Sequence, residues 1–349
     1  MELTDLFDEM RVGELGRRIR ELFPAVHFSL ETMLDELFSG RITELAAYLF
    51  QTGLGGLGER LLGVRSLLSG LILLGLLGAF SMQFSDLLDR FMVGELSFYF
   101  TYLCQTAILT RCFLGLLEVA KGALESVCLF IRLLMPTYLF AVGISTGTIT
   151  AGAGYQASAL LIYGVERILQ GGFLPLVQCF FLLTVLEGLL SKEQLEFLLE
   201  LIKKGIFWSL KIAVGIIGGL GFLQSVLTPA VDKLSGSVAK KLIGAIPGIG
   251  DGAEGVLELA VSSALVIKNG MGILLMMLLV FSCLSPLLEL AAYAVTLKLS
   301  AAVMGIVSDK RLTKAMDRAG EAGLLLLGIT GAALLFFLII MAMTCASAK

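Results

Sequence analysis

The chain has 349 residues, of which 57% are hydrophobic and 16% are charged, and its formal net charge is −3. Soluble domains usually carry about 25% charged residues, so one water-soluble core cannot hide this much apolar surface and lipid must cover part of it. A near-neutral chain also lacks the basic field that nucleic-acid binding requires. The composition therefore predicts an integral membrane protein and argues against a soluble enzyme.

Residues 1–60 differ in composition from the rest of the chain. They hold six basic and eleven acidic residues. Apolar residues such as Leu30, Met33, Leu34 and Leu37 recur there at helical spacing, which predicts short amphipathic helices outside the bilayer. Because no charged region followed by an apolar region opens the chain, we expect no signal peptide.

Residues 61–345 are predicted to form an all-α, multi-span membrane domain. A helix of about 20 residues crosses the hydrocarbon layer, which is roughly 30 Å thick. Apolar runs of near that length lie at about 61–84, 96–119, 127–144, 173–190, 205–227, 271–297 and 322–344, with an amphipathic helix between the fourth and the fifth. We expect about six to eight transmembrane helices.

Glycine and proline interrupt two of the apolar stretches, at 144–155 (ISTGTITAGAGY) and 242–252 (LIGAIPGIGDG). Glycine costs a helix about 1 kcal/mol relative to alanine, and proline breaks the backbone hydrogen-bond ladder. Non-helical backbone at membrane depth must be buried in protein or line a cavity. We therefore predict helix breaks, re-entrant segments or a pore lining. The candidate residues are Pro136, Gly143, Gly147, Gly152, Gly154, Pro247, Gly248, Gly250 and Gly252.

Five charged residues lie inside apolar runs: Arg111, Arg132, Glu187, Lys211 and Glu289. A charge at the bilayer centre costs about 2.5–3.5 kcal/mol, so such residues are usually paired or face a wet cavity. The alternative is that they lie near helix ends and extend toward water. We favour that alternative for Glu187, Lys211 and Glu289, and both interpretations stay open for Arg111 and Arg132 as intramembrane charges.

Glycine pairs four residues apart, among them Gly215 and Gly219, are typical of close helix contacts. The same pairs also arise by chance in a chain with 40 glycines.

Basic residues set the predicted orientation. Residues 298–318 hold five basic and two acidic residues, and Lys192, Lys203, Lys204 and Lys211 mark the 191–211 region. An excess of Lys and Arg in short loops marks the cytoplasmic side. We therefore expect both regions to lie on that side.

The second half of the chain is predicted to contain two copies of one plan, at 125–228 and 236–345. Each copy has a proline, a glycine-rich break, a SAL-containing segment, a span, an amphipathic helix and another span. Duplicated halves with broken helices are what transporters use to build a site at mid-membrane. The alternative is chance similarity between glycine-rich apolar segments.

No catalytic, cofactor or metal site is expected. The six cysteines form no CxxC pair, and His27 is the single histidine. No Walker loop, HExxH or GxSxG motif occurs. The cysteines are interpreted as small buried hydrophobes.

Two segments, FIRLLMPTYLFAVGISTGTITAG (Phe130–Gly152) and KKLIGAIPGIGDGAEGVLELAVSSALVIKNGMG (Lys240–Gly272), are the specific part of a resemblance that covers nearly the whole chain. With the order of the spans and the Leu22-Phe23-Pro24 lead-in, they resemble the stage III sporulation protein AE family of endospore-forming bacteria. Relatives can begin with a cleavable signal sequence, whereas we expect none in this chain. The side of the membrane on which residues 1–60 lie therefore stays open.

The resemblance implies a multi-pass protein of the mother-cell membrane around the engulfed forespore. It implies a permease-like subunit of a channel complex related to secretion systems and needed for forespore development. The implied partners are the other stage III sporulation proteins: AA (an ATPase), AB, AC, AD, AF, AG and AH. It implies no catalytic residues.

Two main hypotheses follow, a subunit of the sporulation channel and a stand-alone secondary transporter of a small solute. A channel subunit should co-purify with the ATPase and ring proteins, whereas a transporter should move a solute when reconstituted alone. An intramembrane enzyme is a third class, for which no catalytic constellation was found.

Overall fold

In the computed structural model of the chain, the described residues are 36, 39, 41–54, 58, 69–73, 75–76, 80, 91–146, 160–190, 195–243, 250–306 and 308–346. Within the long helices, side chains are described at 96–132, 160–190, 195–219, 270, 272–306 and 308–342.

The elements of this described part are helices. They are α1 (Ile42–Gly53), α2 (Phe91–Thr146), α3 (Leu160–Leu189), α4 (Glu196–Ile243), α5 (Gly250–Met304) and α6 (Lys310–Ala346). The all-α prediction is confirmed for this part of the chain.

Three of the helices are long and apolar enough to cross a membrane within the described ranges. They are α3, residues Gly272–Met304 of α5, and residues Lys310–Ala342 of α6. These helices cover the predicted runs at 173–190, 271–297 and 322–344, apart from one or two residues at one end of each. The expected count of six to eight spans goes beyond these three and stays a prediction.

Helix α2 is longer than either of the two spans predicted within it. The sequence separates apolar runs at 96–119 and 127–144, but α2 continues through the intervening residues. Glu118, Lys121 and Glu125 lie on its exposed side, so these charges stay out of the core of the bundle without a loop. Separate spans at these two runs were therefore the wrong division. Helix α4 likewise joins the predicted amphipathic helix to the run at 205–227.

Helix α6 forms the centre of the bundle and contacts α2, α3, α4 and α5. Its apolar window is 56% buried, compared with 39% for the windows of α3 and α5. Asp309 accepts a hydrogen bond from the Arg311 backbone N–H (2.7 Å) at the start of α6, which satisfies one of the donors left free in a first helical turn. The helix that carries the most core is thus also capped at its N-terminus.

Close approach of α5 and α6 depends on glycine. A Cβ at Gly320 would lie 3.2 Å from both the Ala294 carbonyl oxygen and the Lys298 nitrogen, and one at Gly323 would lie 3.1 Å from the Ala294 Cβ. Since backbone atoms cannot move aside as a flexible side chain can, these positions set how closely the two helices pack.

Helices α2 and α3 run antiparallel. The Tyr102 hydroxyl donates a hydrogen bond to the Val185 carbonyl (2.7 Å), and the Phe113 and Phe181 rings stack with centroids 4.1 Å apart. Further along α2, Arg132 forms an ion pair with Glu166.

Helix α3 contains one π-helical turn, at Leu169–Phe173 (LQGGF). The Leu174 N–H bonds to the Leu169 carbonyl across this turn, and Pro175 follows it. Because proline has no N–H and its ring clashes with the carbonyl four residues earlier, the wider turn accommodates Pro175 without ending the helix.

Helix α1 packs on α5 at a distance from the α5–α6 connection. Leu45 and Leu49 are buried, and the Phe50 and Phe281 rings meet edge to face at 6.3 Å. Gly75, in contrast, lies against the Met304 side chain. About 23 residues of helix, or about 35 Å, separate Phe281 from Met304, so α1 and Gly75 contact α5 at levels that far apart.

Candidate functional site at one end of the bundle

Charged side chains from four helices meet where α3 leads into α4 and α5 leads into α6. We call them the ion-pair cluster, and they are Glu187 of α3, Glu196 and Lys203 of α4, Lys298 of α5, and Lys314, Asp317, Arg318 and Glu321 of α6. The α6 members lie three or four residues apart and therefore occupy one stretch of the helix surface. The end of α3, the start of α4, the end of α5 and the start of α6 thus lie at the same end of the bundle.

The most buried part of the cluster is the Glu187–Arg318 ion pair. Glu187 is only 7% exposed and Arg318 only 8%. Arg318 Nη2 also lies 3.5 Å from Glu196 Oε1, and Lys314 Nζ lies 3.3 Å from Glu196 Oε2. Arg318 therefore joins α6 to both helices of the α3–α4 hairpin.

A second group of ion pairs joins α4, α5 and α6. Lys298 Nζ lies 2.8 Å from Asp317 Oδ1 and 3.8 Å from Glu321 Oε1. Lys203 pairs with the same Glu321 carboxylate. Glu321 consequently receives one cation from each hairpin.

Helix α2 reaches the same end through a hydrogen bond and a cation–π contact. The buried Gln105 amide donates a hydrogen bond to the Leu312 carbonyl (2.7 Å). The Arg311 guanidinium lies 3.8 Å from the centroid of the Phe98 ring, a cation–π contact.

The cluster contains four cations and four anions, so its formal net charge is zero. Buried ion pairs contribute little net stability, because desolvation offsets their attraction, but losing one partner is costly. Among the described residues, Glu187 Oε1 has no hydrogen-bond partner. The arrangement is therefore suited to fixing how the helices register against one another.

The structure separates the five predicted intramembrane charges. Arg111 is exposed, whereas Arg132 is half-exposed and paired with Glu166. Lys211 is exposed, with its ammonium 5.9 Å from the Trp208 ring centroid, as expected of a side chain that extends along the helix surface. Glu187 does lie two residues before the end of α3, but its side chain is 7% exposed and pairs with Arg318. For Glu289, which is 8% exposed and lies inside α5, that interpretation is wrong.

The predicted break and pore residues are only partly described. Helix α2 runs through Pro136 and Gly143 to Thr146, so these two residues do not end it. Gly250 and Gly252 lie in the first turn of α5. Gly147, Gly152, Gly154, Pro247 and Gly248 lie outside the described residues, and a pore at these segments stays a prediction.

Most members of the ion-pair cluster were not singled out from the sequence. The available signal was the charged face of α6, where Lys314, Asp317, Arg318 and Glu321 recur at helical spacing. Their partners come from three other helices, which no local pattern connects. No group of three or more potential metal ligands of the His, Cys, Asp or Glu type occurs in the part of the chain that is described.

The fold and the cluster define a helical protein that carries apolar helices of membrane-spanning length, joined by ion pairs at one end. The family model for stage III sporulation protein AE matches residues 28–348. The chain belongs to that family, and the resemblance identified from the two Pro/Gly segments is confirmed.

A curated relative is the stage III sporulation protein AE of Bacillus subtilis (strain 168), which is 22% identical over 278 residues. The match covers 79% of this chain and 66% of the relative, so just under two thirds of the relative's length is spanned. No solved structure matches the chain.

Proposed function

We propose that the chain is a membrane-embedded, permease-like subunit of the stage III sporulation channel complex that links mother cell and forespore. In this proposal it has no enzymatic activity and supports forespore development as part of the assembly. The observation that carries the proposal is the family match over residues 28–348, together with three membrane-length apolar helices.

The bundle is also compatible with more than three crossings. Phe50 lies at Phe281 and Gly75 lies at Met304, and these two levels of α5 are about 35 Å apart. That separation is about equal to the thickness of the hydrocarbon layer, which is roughly 30 Å, and it is compatible with the proposed count of six to eight spans.

The proposed orientation places the ion-pair cluster on the cytoplasmic side of the mother-cell membrane. Both hairpin connections lie at this end, and the basic residues of 191–211 and 298–318 flank them. A shared cytoplasmic side is what the charge rule requires. Helix α1 then lies toward the opposite face, next to Phe281.

In this assembly the ion-pair cluster has a mechanical role. Arg318 and Glu321 each join α6 to the α3–α4 hairpin, so the two hairpins move as one frame. We propose that the segments at 144–155 and 244–252 line a polar path carried by that frame. This pore hypothesis rests on their composition, because non-helical backbone in a membrane needs shelter.

The proposed partners are the other stage III sporulation proteins, AA, AB, AC, AD, AF, AG and AH. The test is an affinity pull-down of the tagged full chain from sporulating cells, with identification of the captured proteins. Recovery of AA, AG and AH only during sporulation is the expected result. Transport of a solute by the reconstituted chain alone, without capture of these proteins, would support the stand-alone transporter and contradict the channel subunit.

The pore hypothesis has a separate test. Gly147→Leu and Gly248→Leu should block forespore development while the pull-down still recovers the partners. Gly122→Leu is a matched control, because no described atom lies within 4 Å of a Cβ at Gly122. Normal development with both Gly147→Leu and Gly248→Leu would contradict a pore at these segments.

A further inference from the structure

Helix α4 carries a tryptophan and a lysine on its outward face. Trp208 is 67% exposed, and Lys211 is also exposed. The Lys211 ammonium lies 5.9 Å from the centroid of the Trp208 ring. Residues three apart in a helix are surface neighbours, so the two side chains form one amphipathic patch.

The patch continues along α4 as an uncovered apolar strip. Ile212 and Ile216 are exposed, and no described atom lies within 4 Å of a Cβ built at Gly215 or Gly219. The opposite face of α4 packs into the core through Ile206, Leu210 and Ile217. The Gly215–Gly219 pair is therefore open space among the described residues, and the close helix contact that such a pair suggests is not made there.

The position of Lys211 along α4 indicates which kind of ligand this strip can bind. Lys203 pairs with Glu321 at the inner edge of the ion-pair cluster, and Lys211 follows eight residues later, about 12 Å along the helix. Helical side chains point back toward the N-terminus, so Lys211 extends toward the charged end. No described acidic side chain is within ion-pair distance of its ammonium, so an anion that pairs with Lys211 would come from outside the described bundle.

We propose that the Trp208–Lys211 patch binds an anionic phospholipid, an inference that rests on the membrane placement proposed above. The Lys211 ammonium contacts the lipid phosphate, and the Trp208 indole N–H is a second donor at headgroup level. The acyl chains lie along Ile212 and Ile216, in the space left open by Gly215 and Gly219. One cation beside an aromatic ring and a long apolar strip fits a single lipid with one phosphate.

The test uses the purified full chain in nanodiscs that contain phosphatidylglycerol and phosphatidylcholine. Native mass spectrometry then measures which lipids are retained after release. Wild type should retain phosphatidylglycerol over phosphatidylcholine, and Lys211→Gln should lower that preference by about fivefold. Lys211→Arg should keep the preference, which separates loss of charge from misfolding.

Lys310→Gln is the matched control, because it removes one exposed lysine at the start of α6 and leaves the patch intact. It should retain the wild-type preference. Equal preference in wild type and Lys211→Gln, or an equal loss in both glutamine variants, would overturn the proposal.

A second arm asks whether protein, and not lipid, covers the strip. A photoreactive benzoyl-phenylalanine at Ile212 in sporulating-cell membranes should cross-link to lipid. A cross-link to another polypeptide would overturn the lipid assignment. Neither arm depends on capturing the sporulation partners, so failure here is distinguishable from failure of the proposed function.

Discussion

The two helical hairpins of the bundle have the same order of parts but use their glycines differently. In the α5–α6 hairpin, Gly320 and Gly323 lie against Ala294 and Lys298 of the neighbouring helix. In the α3–α4 hairpin, Gly172, Gly205 and Gly215 have no described atom within 4 Å of a built Cβ. Glycine content alone therefore does not reveal a helix contact. The contrast holds for particular positions and not for each hairpin as a whole, because Gly188 of α3 lies against Tyr102 while Gly328 and Gly331 of α6 have no described atom within 4 Å of a built Cβ.

The largest expected change in stability comes from removing an ion pair that joins the two hairpins. Arg318→Met should lower the free energy of unfolding by about 3–5 kcal/mol, because it leaves the Glu187 carboxylate buried without its cation. Equilibrium unfolding in a denaturing detergent measures this change. Arg132→Met is the matched control, since the Arg132–Glu166 pair is half-exposed and should cost no more than about 1 kcal/mol.

A double variant sharpens the same experiment. Glu187→Leu combined with Arg318→Met removes both buried charges and should recover most of the lost stability. Equal costs for Arg318→Met and Arg132→Met would show that the ion-pair cluster does not join the hairpins as described.

Adding one methyl group distinguishes the two sets of glycines. Gly320→Ala should destabilise the protein by about 1–3 kcal/mol, because the new Cβ meets backbone atoms of Ala294 and Lys298. Gly215→Ala should be neutral or stabilising by up to about 1 kcal/mol, since alanine favours the helix and the space is open. The detergent unfolding midpoints of the two variants should therefore move in different directions. Similar destabilisation by both would mean that a contact covers α4 at Gly215.

A smaller loss of stability is expected at the contact between α2 and the α3–α4 hairpin. Tyr102→Phe removes the hydrogen bond to the Val185 carbonyl and should cost about 1 kcal/mol. Tyr163→Phe is the control, because Tyr163 is an exposed residue of α3 and should leave the unfolding midpoint unchanged. If the two variants behaved alike, the α2–α3 contact at Tyr102 would be in doubt.

The smallest effect should come from the exposed Glu200–Lys204 pair of α4. The hydrogen bond from Lys204 lowers the pKa of the Glu200 carboxyl. Any stabilisation is thus present above the ordinary carboxyl pKa and lost only as the pH falls through the lowered value. Glu200→Gln should leave the unfolding midpoint unchanged within error at neutral pH, because solvent screens such pairs. A loss of stability comparable with that of Arg318→Met would contradict the exposed position of the Glu200–Lys204 pair on α4.

The sequence predicts much of the helical framework but little of the site. Apolar runs at 173–190, 271–297 and 322–344 fall almost entirely within the three membrane-length helices, because length and hydropathy are local properties. The division of α2 into two spans failed, since Glu118, Lys121 and Glu125 resemble a loop although their spacing places them on one exposed helical face. The buried state of Glu187 and Glu289 depends on which helices pack around them, and local sequence does not specify those neighbours.

The most direct measurement is cysteine accessibility to an impermeant thiol reagent in intact vegetative cells that express a cysteine-free version of the chain. Single cysteines at the exposed positions Leu190 and Ile306 report the two hairpin connections, and one at Gln51 reports α1. The account predicts that the cysteines at Leu190 and Ile306 are shielded until the cells are permeabilised, whereas the one at Gln51 reacts from outside. Labelling at Ile306, or opposite behaviour of Leu190 and Ile306, would contradict a bundle with both connections on the cytoplasmic side.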